Sequence, residues 1–243
     1  MPALSQRWIG AAALAAGLML AGCATAPQGA TPHPQDPYEG YNRAMFSFNE
    51  KVDNAIAKPV AQAYQFTIPQ PIRTGVTNFF GNLRDVWSMA NHALQGNGEQ
   101  TYNHMVRVTT NTVFGLGGLL DVATEMQIPR NKQDFGQTLG HWGIKPGPYL
   151  VLPLLGPSTV RDTVALPVDW QGNVLGQLNP ELHRHLLTGL RIVDTRVQLL
   201  GATDTLNAVA LDRYSLTRDF FLKQRDAAAA PDDNAGRIES YDD

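Results

Sequence analysis

Apolar residues recur at helical spacing along most of the chain. Over residues 38–56 they follow one another at intervals of three or four, and similar spacing returns over 72–94 and 182–200. Side chains at these intervals share one face of an α-helix. The pattern therefore predicts a series of amphipathic helices and an all-α fold.

Capping residues and helix breakers predict where these helices begin and end. Asp36 is predicted to be the N-cap of a first helix, with Pro37 as its first residue, and that helix is expected to end before Pro59. Ser158 is predicted to cap a short helix that ends at Pro167. Further helices are predicted after Pro69 and Pro71, over 99–114, from Glu181 and over 213–225.

The pattern alone leaves open what covers the apolar stripes. The stripe of the first helix either packs against a protein core or lies in a membrane interface. For the helix over 99–114 we expect the apolar side to face inward. The residues expected on that side are Tyr102, Met105, Val106, Thr109 and Val113.

The stretch from Phe135 to Asp162 does not fit a regular helix. Between Gly136 and Pro157 it carries five glycines and four prolines among many large apolar residues. Prolines remove backbone donors and break helices, whereas the apolar content requires burial. We therefore predict two apolar arms folded back on each other around the loop from Gly143 to Pro148. Either this hairpin lies in a soluble core, or it is non-helical backbone beside a wet cavity at membrane depth.

The helix predicted from Glu181 carries a polar stripe nearly opposite its apolar side. This stripe is either a solvated face or the lining of a wet passage for anionic head groups. Its members are Arg184, Thr188, Arg191, Thr195 and Gln198.

The N-terminus reads as an export signal. Arg7 precedes a short apolar run, and Leu20-Ala21-Gly22-Cys23 resembles a bacterial lipobox. This pattern predicts that residues 1–22 are a lipoprotein signal peptide. It also predicts that Cys23 is acylated and carries diacylglycerol and palmitate. A plain signal-peptidase cut near Ala24 is the alternative. Ala24 stands where an aspartate would favour inner-membrane retention, so we expect an outer-membrane anchor.

Composition separates the rest of the chain into a tether, a body and a tail. Residues 23–35 are small, polar and proline-rich, which is typical of a flexible tether. Residues 36–225 hold the predicted helices and form one domain. Residues 226–243 contain six acidic residues and one arginine, which predicts a disordered acidic tail. No basic cluster indicates nucleic-acid binding.

The sequence offers no catalytic motif. It contains neither a G-x-S-x-G elbow nor an H-E-x-x-H metal motif, so we predict no catalytic residue, no metal and no cofactor besides the lipid on Cys23. The adjacent Arg161 and Asp162 fit a structural ion pair better than a catalytic pair. We therefore do not expect an enzyme.

Three long segments resemble one known family. DPYEGYNRAMFSFN from Asp36, FGLGGLLDVA from Phe114, and FGQTLGHWG with GPYLVLPLLGPSTVRD within 135–162 are similar to the MlaA/VacJ lipoproteins. The resemblance implies a ring-shaped arrangement of amphipathic helices, with the Gly/Pro-rich hairpin beside a central channel. It also implies that phospholipids mislocalised to the outer leaflet pass through the channel to a periplasmic carrier protein, and that a trimeric porin is a partner.

The resemblance also implies roles for particular residues. The loop with Gly143, Lys145, Pro146 and Gly147 corresponds to a hinge that influences channel opening, although Lys145-Pro146 stands where more glycine is expected. The region of Phe48 and Asn49 corresponds to one whose disruption lets lipid leak the wrong way. Arg184 and Arg191 are candidates for the channel lining. Two alternatives are a surface phospholipase and a lipoprotein that only scaffolds porins.

Overall fold

The computed structural model describes residues 33–229. Nearly all of the regular structure is helical, and two short strands form its one sheet in this part of the chain. The helices are α1 (Glu39–Val52), α2 (Lys58–Thr67), α3 (Gln70–Leu94), α4 (Gly98–Val113), α5 (Val122–Glu125), α6 (Phe135–His141), α7 (Val160–Gly172), α8 (Glu181–Val209) and α9 (Arg213–Ala229). The prediction of a mostly helical fold is confirmed.

Two prolines predicted to end helices lie inside helical structure. A π-helical turn, Asp53–Ala57, joins α1 directly to α2, and Pro59 occupies the first turn of α2. The wider π-turn relieves the clash that a proline ring makes with the carbonyl four residues before it. Pro167 lies within α7, which continues to Gly172. The predicted ends at Pro59 and Pro167 were therefore wrong.

The start of the first helix also differs from the prediction. Tyr38, not Asp36, is the N-cap, and its side chain makes no capping hydrogen bond. Asp36 is instead buried, where it accepts hydrogen bonds from Asn42, Tyr214 and Arg218. Its carboxylate joins α1 to α9, a tertiary role that local sequence did not indicate.

The Gly/Pro-rich segment does form a hairpin, but its turn lies elsewhere than predicted. Strand β1 (Tyr149–Leu152) pairs antiparallel with β2 (Gly156–Thr159), so the chain reverses at residues 153–155. Leu154 at this turn has φ 63° and a largely exposed side chain. The loop from Gly143 to Pro148 precedes β1, and Thr159, not Ser158, caps α7. The expectation of two arms folded around that loop was wrong.

The helices contact one another in a closed series. Helix α2 packs on α8, α8 on α3, α3 on α6, and α6 on α9. Helix α9 returns to α1, where Arg43 contacts Asp212 and Ser215 and Phe46 packs edge-on against Tyr214. The hairpin lies between α1 and α9, and α4 packs against α3. Following these contacts from helix to helix, starting at α1, therefore returns to α1.

Burial in this fold is inverted relative to a water-soluble globule. Among residues 33–229, buried polar and charged residues outnumber buried hydrophobic ones two to one. Helix α4 is the clearest case, since Tyr102, Met105 and Val113, expected inward, are exposed, whereas His104 and Arg107 are fully buried. Thr109, also expected inward, is exposed as well. The inward prediction for these four α4 side chains was wrong because the helical period fixes only the relative faces, not which face meets the interior.

Candidate functional site

Helix α1 holds the hairpin through side-chain amides. The Asn42 amide nitrogen donates to the carbonyl oxygen of Tyr149 at 3.0 Å, and the N–H of Val151 donates to the Asn42 amide oxygen at 2.8 Å. One carboxamide therefore satisfies a backbone acceptor and a backbone donor, as a neighbouring strand would. Asn42 is fully buried, so both backbone groups would otherwise lack partners.

Asn49 repeats this arrangement two helical turns later. Its amide nitrogen donates to the carbonyl oxygen of Leu152 at 2.9 Å, and its amide oxygen accepts from the N–H of Leu154 at 2.7 Å. A separation of seven residues returns nearly to the same helix face, which places Asn42 and Asn49 in register with β1. Asn49, a gating candidate from the sequence, thus contacts the hairpin turn directly. Asn42 was missed, although its spacing from Asn49 was a usable signal.

Gly143 ends helix α6 in a left-handed conformation. Its φ is 89°, its N–H donates to the carbonyl oxygen of Gly140 at 2.9 Å, and the N–H of Ile144 donates to that of Leu139 at 3.0 Å. These two bonds form a Schellman motif, in which glycine is favoured because a left-handed residue with a Cβ is strained. Gly143 therefore has a defined structural role at the start of the predicted hinge.

The remainder of this loop is attached to the first turn of α7. The carbonyl oxygens of Pro146 and Pro148 accept hydrogen bonds from the backbone N–H groups of Arg161 and Val160, at 3.0 and 3.1 Å. Gly147 has φ 68°, and a Cβ there would lie 3.3 Å from the Val160 Cβ. Lys145 is exposed. A movement of the loop would have to break these two backbone bonds, and its gating role stays a prediction.

A buried ion-pair network ties α6, α7 and α9 together beside this loop. Arg161 contacts Asp162 at 3.0 Å (Nε–Oδ1), and Arg225 of α9 reaches Asp162 at 3.3 Å and Asp134 at 2.6 Å. A Cβ on Gly136 would lie 2.5 Å from the Asp162 carboxylate, so only glycine fits under it. The interpretation of Arg161 and Asp162 as a structural ion pair is confirmed.

A second charged network lies between α3 and α4. The Asp85 carboxylate contacts Arg130 Nη2 at 2.8 Å, Arg107 Nε at 3.4 Å and His104 Nδ1 at 3.3 Å, and Arg107 also pairs with Asp121 at 2.8 Å. Burial alone would raise the pKa of Asp85. The hydrogen bond from His104 and the charge of Arg130 outweigh it, and the pKa is lowered.

Two stacked histidines attach the loop over 126–134 to these helices. The ring centroids of His92 and His104 lie 5.2 Å apart. Both Nε2 atoms contact the carbonyl oxygen of Asn131, at 2.9 and 2.7 Å. A carbonyl oxygen only accepts, so both Nε2 atoms carry hydrogen. Burial lowers the pKa of His92. Because the Gln133 N–H also donates to Ser88 Oγ at 3.1 Å, this polar segment is anchored to α3.

The remaining sequence candidates occupy two separate helices. Phe48 is partly exposed on α1, whereas Arg184 and Arg191 lie two turns apart on α8. Arg184 contacts Glu181 at 3.2 Å on the surface, and half-buried Arg191 donates to the Asn173 side chain at 3.2 Å. Among residues 33–229, no hydrogen bond joins either arginine to Phe48 or Asn49. The predicted signal peptide, Cys23 and residues 230–243 of the predicted acidic tail lie outside the described residues, whereas residues 226–229 of that tail belong to α9.

Large apolar side chains cover much of the outer surface. On α7, Val160, Val164 and Val168 recur every four residues and are 40%, 68% and 38% exposed. On α8, the side chains of Leu182 and Leu186 are also largely exposed. Exposed apolar surface on this scale marks a site of contact with membrane or protein. Within the described residues, no helix is both long and apolar enough to cross a bilayer.

The described residues thus form a helical protein with many exposed apolar and buried polar side chains. The profile of the MlaA lipoprotein family matches residues 34–228. The chain is 39% identical over 225 residues to the intermembrane phospholipid transport system lipoprotein MlaA of Escherichia coli (strain K12), a match that covers 89% of this chain and 87% of that protein. The protein of the same name from Haemophilus influenzae is 35% identical over 223 residues, covering 86% and 85%.

A solved structure is similar over most of the fold. It is described as the structural basis for maintenance of bacterial outer membrane lipid asymmetry, and it matches with a TM-score of 0.70 and 36% sequence identity. The match covers 80% of this chain and 99% of the solved chain. The chain belongs to the MlaA lipoprotein family.

Proposed function

We propose that this protein is a non-enzymatic component of a retrograde phospholipid transport pathway. It takes phospholipids mislocalised to the outer leaflet of the outer membrane and passes them through a central channel to a periplasmic carrier, which maintains lipid asymmetry. The names of its relatives, which are phospholipid transport lipoproteins, support this role.

The inverted burial is the observation that carries the proposal. Buried polar groups with exposed apolar helix faces suit a protein whose outer surface contacts lipid tails and whose interior is wet. Phe66, at 93% exposure, and the α7 valines would face the tails. Head groups would find hydrogen-bonding partners inside. A passive conduit requires this separation, because it moves the charged end of a lipid without bringing it into hydrocarbon.

The closed series of helix contacts supports a ring around such a conduit. The hairpin is then non-helical backbone in the wall of the ring, with its exposed edge satisfied by Asn42 and Asn49. The loop of Gly143, Lys145, Pro146 and Gly147 connects α6 to β1 and is well placed to change the opening. Arg191 on α8 is half-buried and stays a candidate for the channel lining.

The anchor and the partners follow from the family resemblance. Acylated Cys23 would hold the protein at the outer membrane of a Gram-negative cell, since several buried acyl chains give effectively permanent attachment. A trimeric porin and a periplasmic lipid carrier are the proposed protein partners. The exposed apolar faces provide contact area for the porin as well as for lipid.

Deletion of the gene in its native host tests the proposal. We expect phospholipid to accumulate at the cell surface and sensitivity to detergent with EDTA to rise, and we expect the intact gene to restore both. Purified protein with phospholipid vesicles is the second arm. Release of fatty acid or lysolipid would indicate a phospholipase instead. Cross-linking of the protein to a porin in the wild type, together with normal surface lipid in the deletion strain, would indicate a scaffold.

A further inference from the structure

Three positive side chains from three different elements lack a carboxylate partner. Arg84 lies on α3, Lys132 in the loop over 126–134, and Arg191 on α8. Within the described part of the chain, Arg84 and Lys132 make no salt bridge or side-chain hydrogen bond, and the side-chain hydrogen bond of Arg191 goes to the neutral Asn173. By contrast, Asp85 and Asp121 neutralise the nearby Arg107 and Arg130.

The fold brings these three cations together. Helices α3 and α8 pack against each other, and the 3-10 turn Val174–Gln177, which follows Asn173, contacts both. The loop with Lys132 is fixed to α3 by the bond between Gln133 and Ser88, one helical turn after Arg84. Arg84 therefore lies on the helix that contacts both of the elements carrying the other two cations.

The charge of Arg84 acts on both of the other two cations. The pKa of Arg191 is lowered mainly by burial and to a smaller extent by the charge of Arg84. Burial also lowers the pKa of Lys132, with further contributions from Arg84 and Arg130 that the attraction of Asp85 only partly offsets. Uncompensated like charges are unfavourable in a folded protein, whereas an anion bound among them would convert repulsion into charge-assisted hydrogen bonds.

We propose that Arg84, Lys132 and Arg191 form a binding site for the phosphodiester of a phospholipid head group, and that it favours lipids of net negative charge. Guanidinium groups present paired donors to phosphate oxygens, and an ammonium adds a compact charge. A zwitterionic head group brings its own cation into this cluster, where the facing carboxylate, Asp85, is already paired with Arg107 and Arg130. The inference rests on the proposed transport function and adds a head-group preference to it.

Free inorganic phosphate shares this chemistry, so the test separates the two sources. Full-length protein in detergent is mixed with equal amounts of phosphatidylglycerol and phosphatidylethanolamine, and bound lipid is counted by native mass spectrometry. A parallel arm adds inorganic phosphate at increasing concentration. If the site takes the lipid head group, millimolar phosphate does not displace phosphatidylglycerol from the wild type. Complete displacement at that concentration would reassign the site to free phosphate.

The variants are Arg84→Gln and Lys132→Gln, with Lys223→Gln as the matched control. Lys223 is an exposed cation on α9. We expect the ratio of bound phosphatidylglycerol to phosphatidylethanolamine to fall about tenfold in each of the two variants, because each removes one positive charge that repels the ammonium of phosphatidylethanolamine, and to stay unchanged in the control.

The outcomes distinguish this proposal from the transport proposal. An unchanged lipid ratio in Arg84→Gln and Lys132→Gln, with normal total lipid, would overturn the head-group site and leave transport intact. Absence of bound lipid from the wild type as well would count against transport itself. Circular dichroism of each variant verifies that the helices have formed.

Discussion

Asn42 and Asn49 hold the same strand from the same face of α1. Their carboxamides bond to four backbone groups of the hairpin, two each, at distances between 2.7 and 3.0 Å. Asn42 is fully buried whereas the bonds of Asn49 lie near the exposed turn. The inner contact therefore serves stability, and the outer contact sets the position of the turn.

Replacing these two residues should have unequal effects. Asn42→Ala leaves two buried backbone groups unpaired, so we expect a loss of about 2–6 kcal/mol in unfolding free energy, at about 1–3 kcal/mol for each unsatisfied group. Asn49→Ala should cost less than about 1 kcal/mol but speed amide exchange at Leu154. Denaturant unfolding and hydrogen–deuterium exchange measure the two effects.

Asn78→Ala is the matched control, since Asn78 donates to the Leu119 carbonyl oxygen at an exposed position away from the hairpin. Exchange at Leu154 that is equally slow in Asn49→Ala and Asn78→Ala would contradict the assigned role of Asn49. In cells, Asn49→Ala should change surface phospholipid levels more than Asn78→Ala does.

Bulkier residues at the glycine loop should reduce transport without releasing the protein from the membrane. Gly147→Val is strained by its φ of 68° and by the contact with Val160, and Gly143→Val by its φ of 89°. We expect surface phospholipid to rise toward the level of the deletion strain. Membrane fractionation should show normal amounts of both variants.

Two glycines of α8 provide the control for these substitutions. A Cβ at Gly189 or Gly201 would meet nothing within 4 Å, and both lie in a helix interior. Ala at either position should stabilise the protein by about 0.5–1 kcal/mol and leave transport unchanged. Surface lipid at the wild-type level in Gly143→Val and Gly147→Val would argue against gating by this loop.

A charge on the apolar face of α7 should weaken membrane association of the folded body. Val164 is 68% exposed, so Val164→Asp creates no steric conflict, yet an aspartate in contact with lipid tails is unfavourable by about 2–4 kcal/mol. Flotation with vesicles, using protein in which Cys23 is replaced by Ser, isolates this contribution from the anchor. Lys223→Asp, on an exposed polar position, should float like the parent, and equal flotation of both variants would exclude α7 from the lipid contact.

The histidine pair predicts a loss of stability in mild acid. Folding lowers the pKa of His92 below its ordinary value near 6.5, so the unfolded chain binds a proton that the folded chain refuses. Stability should be complete above the unfolded pKa and should decline as the pH falls below it. The groups facing His92 are the stacked His104 and, beyond it, Asp85.

Thermal unfolding between pH 7.5 and 5 measures this effect. His92→Gln keeps a donor for the Asn131 carbonyl oxygen and removes the titrating group, so its melting temperature should fall less over the same interval. His33, outside the helices, supplies the control variant His33→Gln. An identical pH dependence in His92→Gln and the wild type would assign the acid sensitivity to other groups.

Sequence reasoning located the helices better than it oriented them. The period of α4 grouped Tyr102, Met105 and Val113 correctly on one face, but the rule that apolar faces point inward assumes water outside. Local capping rules likewise chose Asp36 as an N-cap because they cannot detect Arg218 and Tyr214, which are distant in sequence. The hairpin turn was misplaced for the same reason: glycines mark Gly143 and Gly147, while the real reversal at Leu154 depends on the pairing of β1 with β2.

Because its outer surface is apolar, the folded protein binds the detergent or lipid that surrounds it. In water, unfolding this chain would expose little additional hydrocarbon on those faces, so their burial adds little to the stability of the isolated fold. Detergent or lipid that coats the native form preferentially will raise its melting temperature with concentration, by mass action. The free energy of unfolding therefore depends on the bound detergent or lipid as well as on the protein.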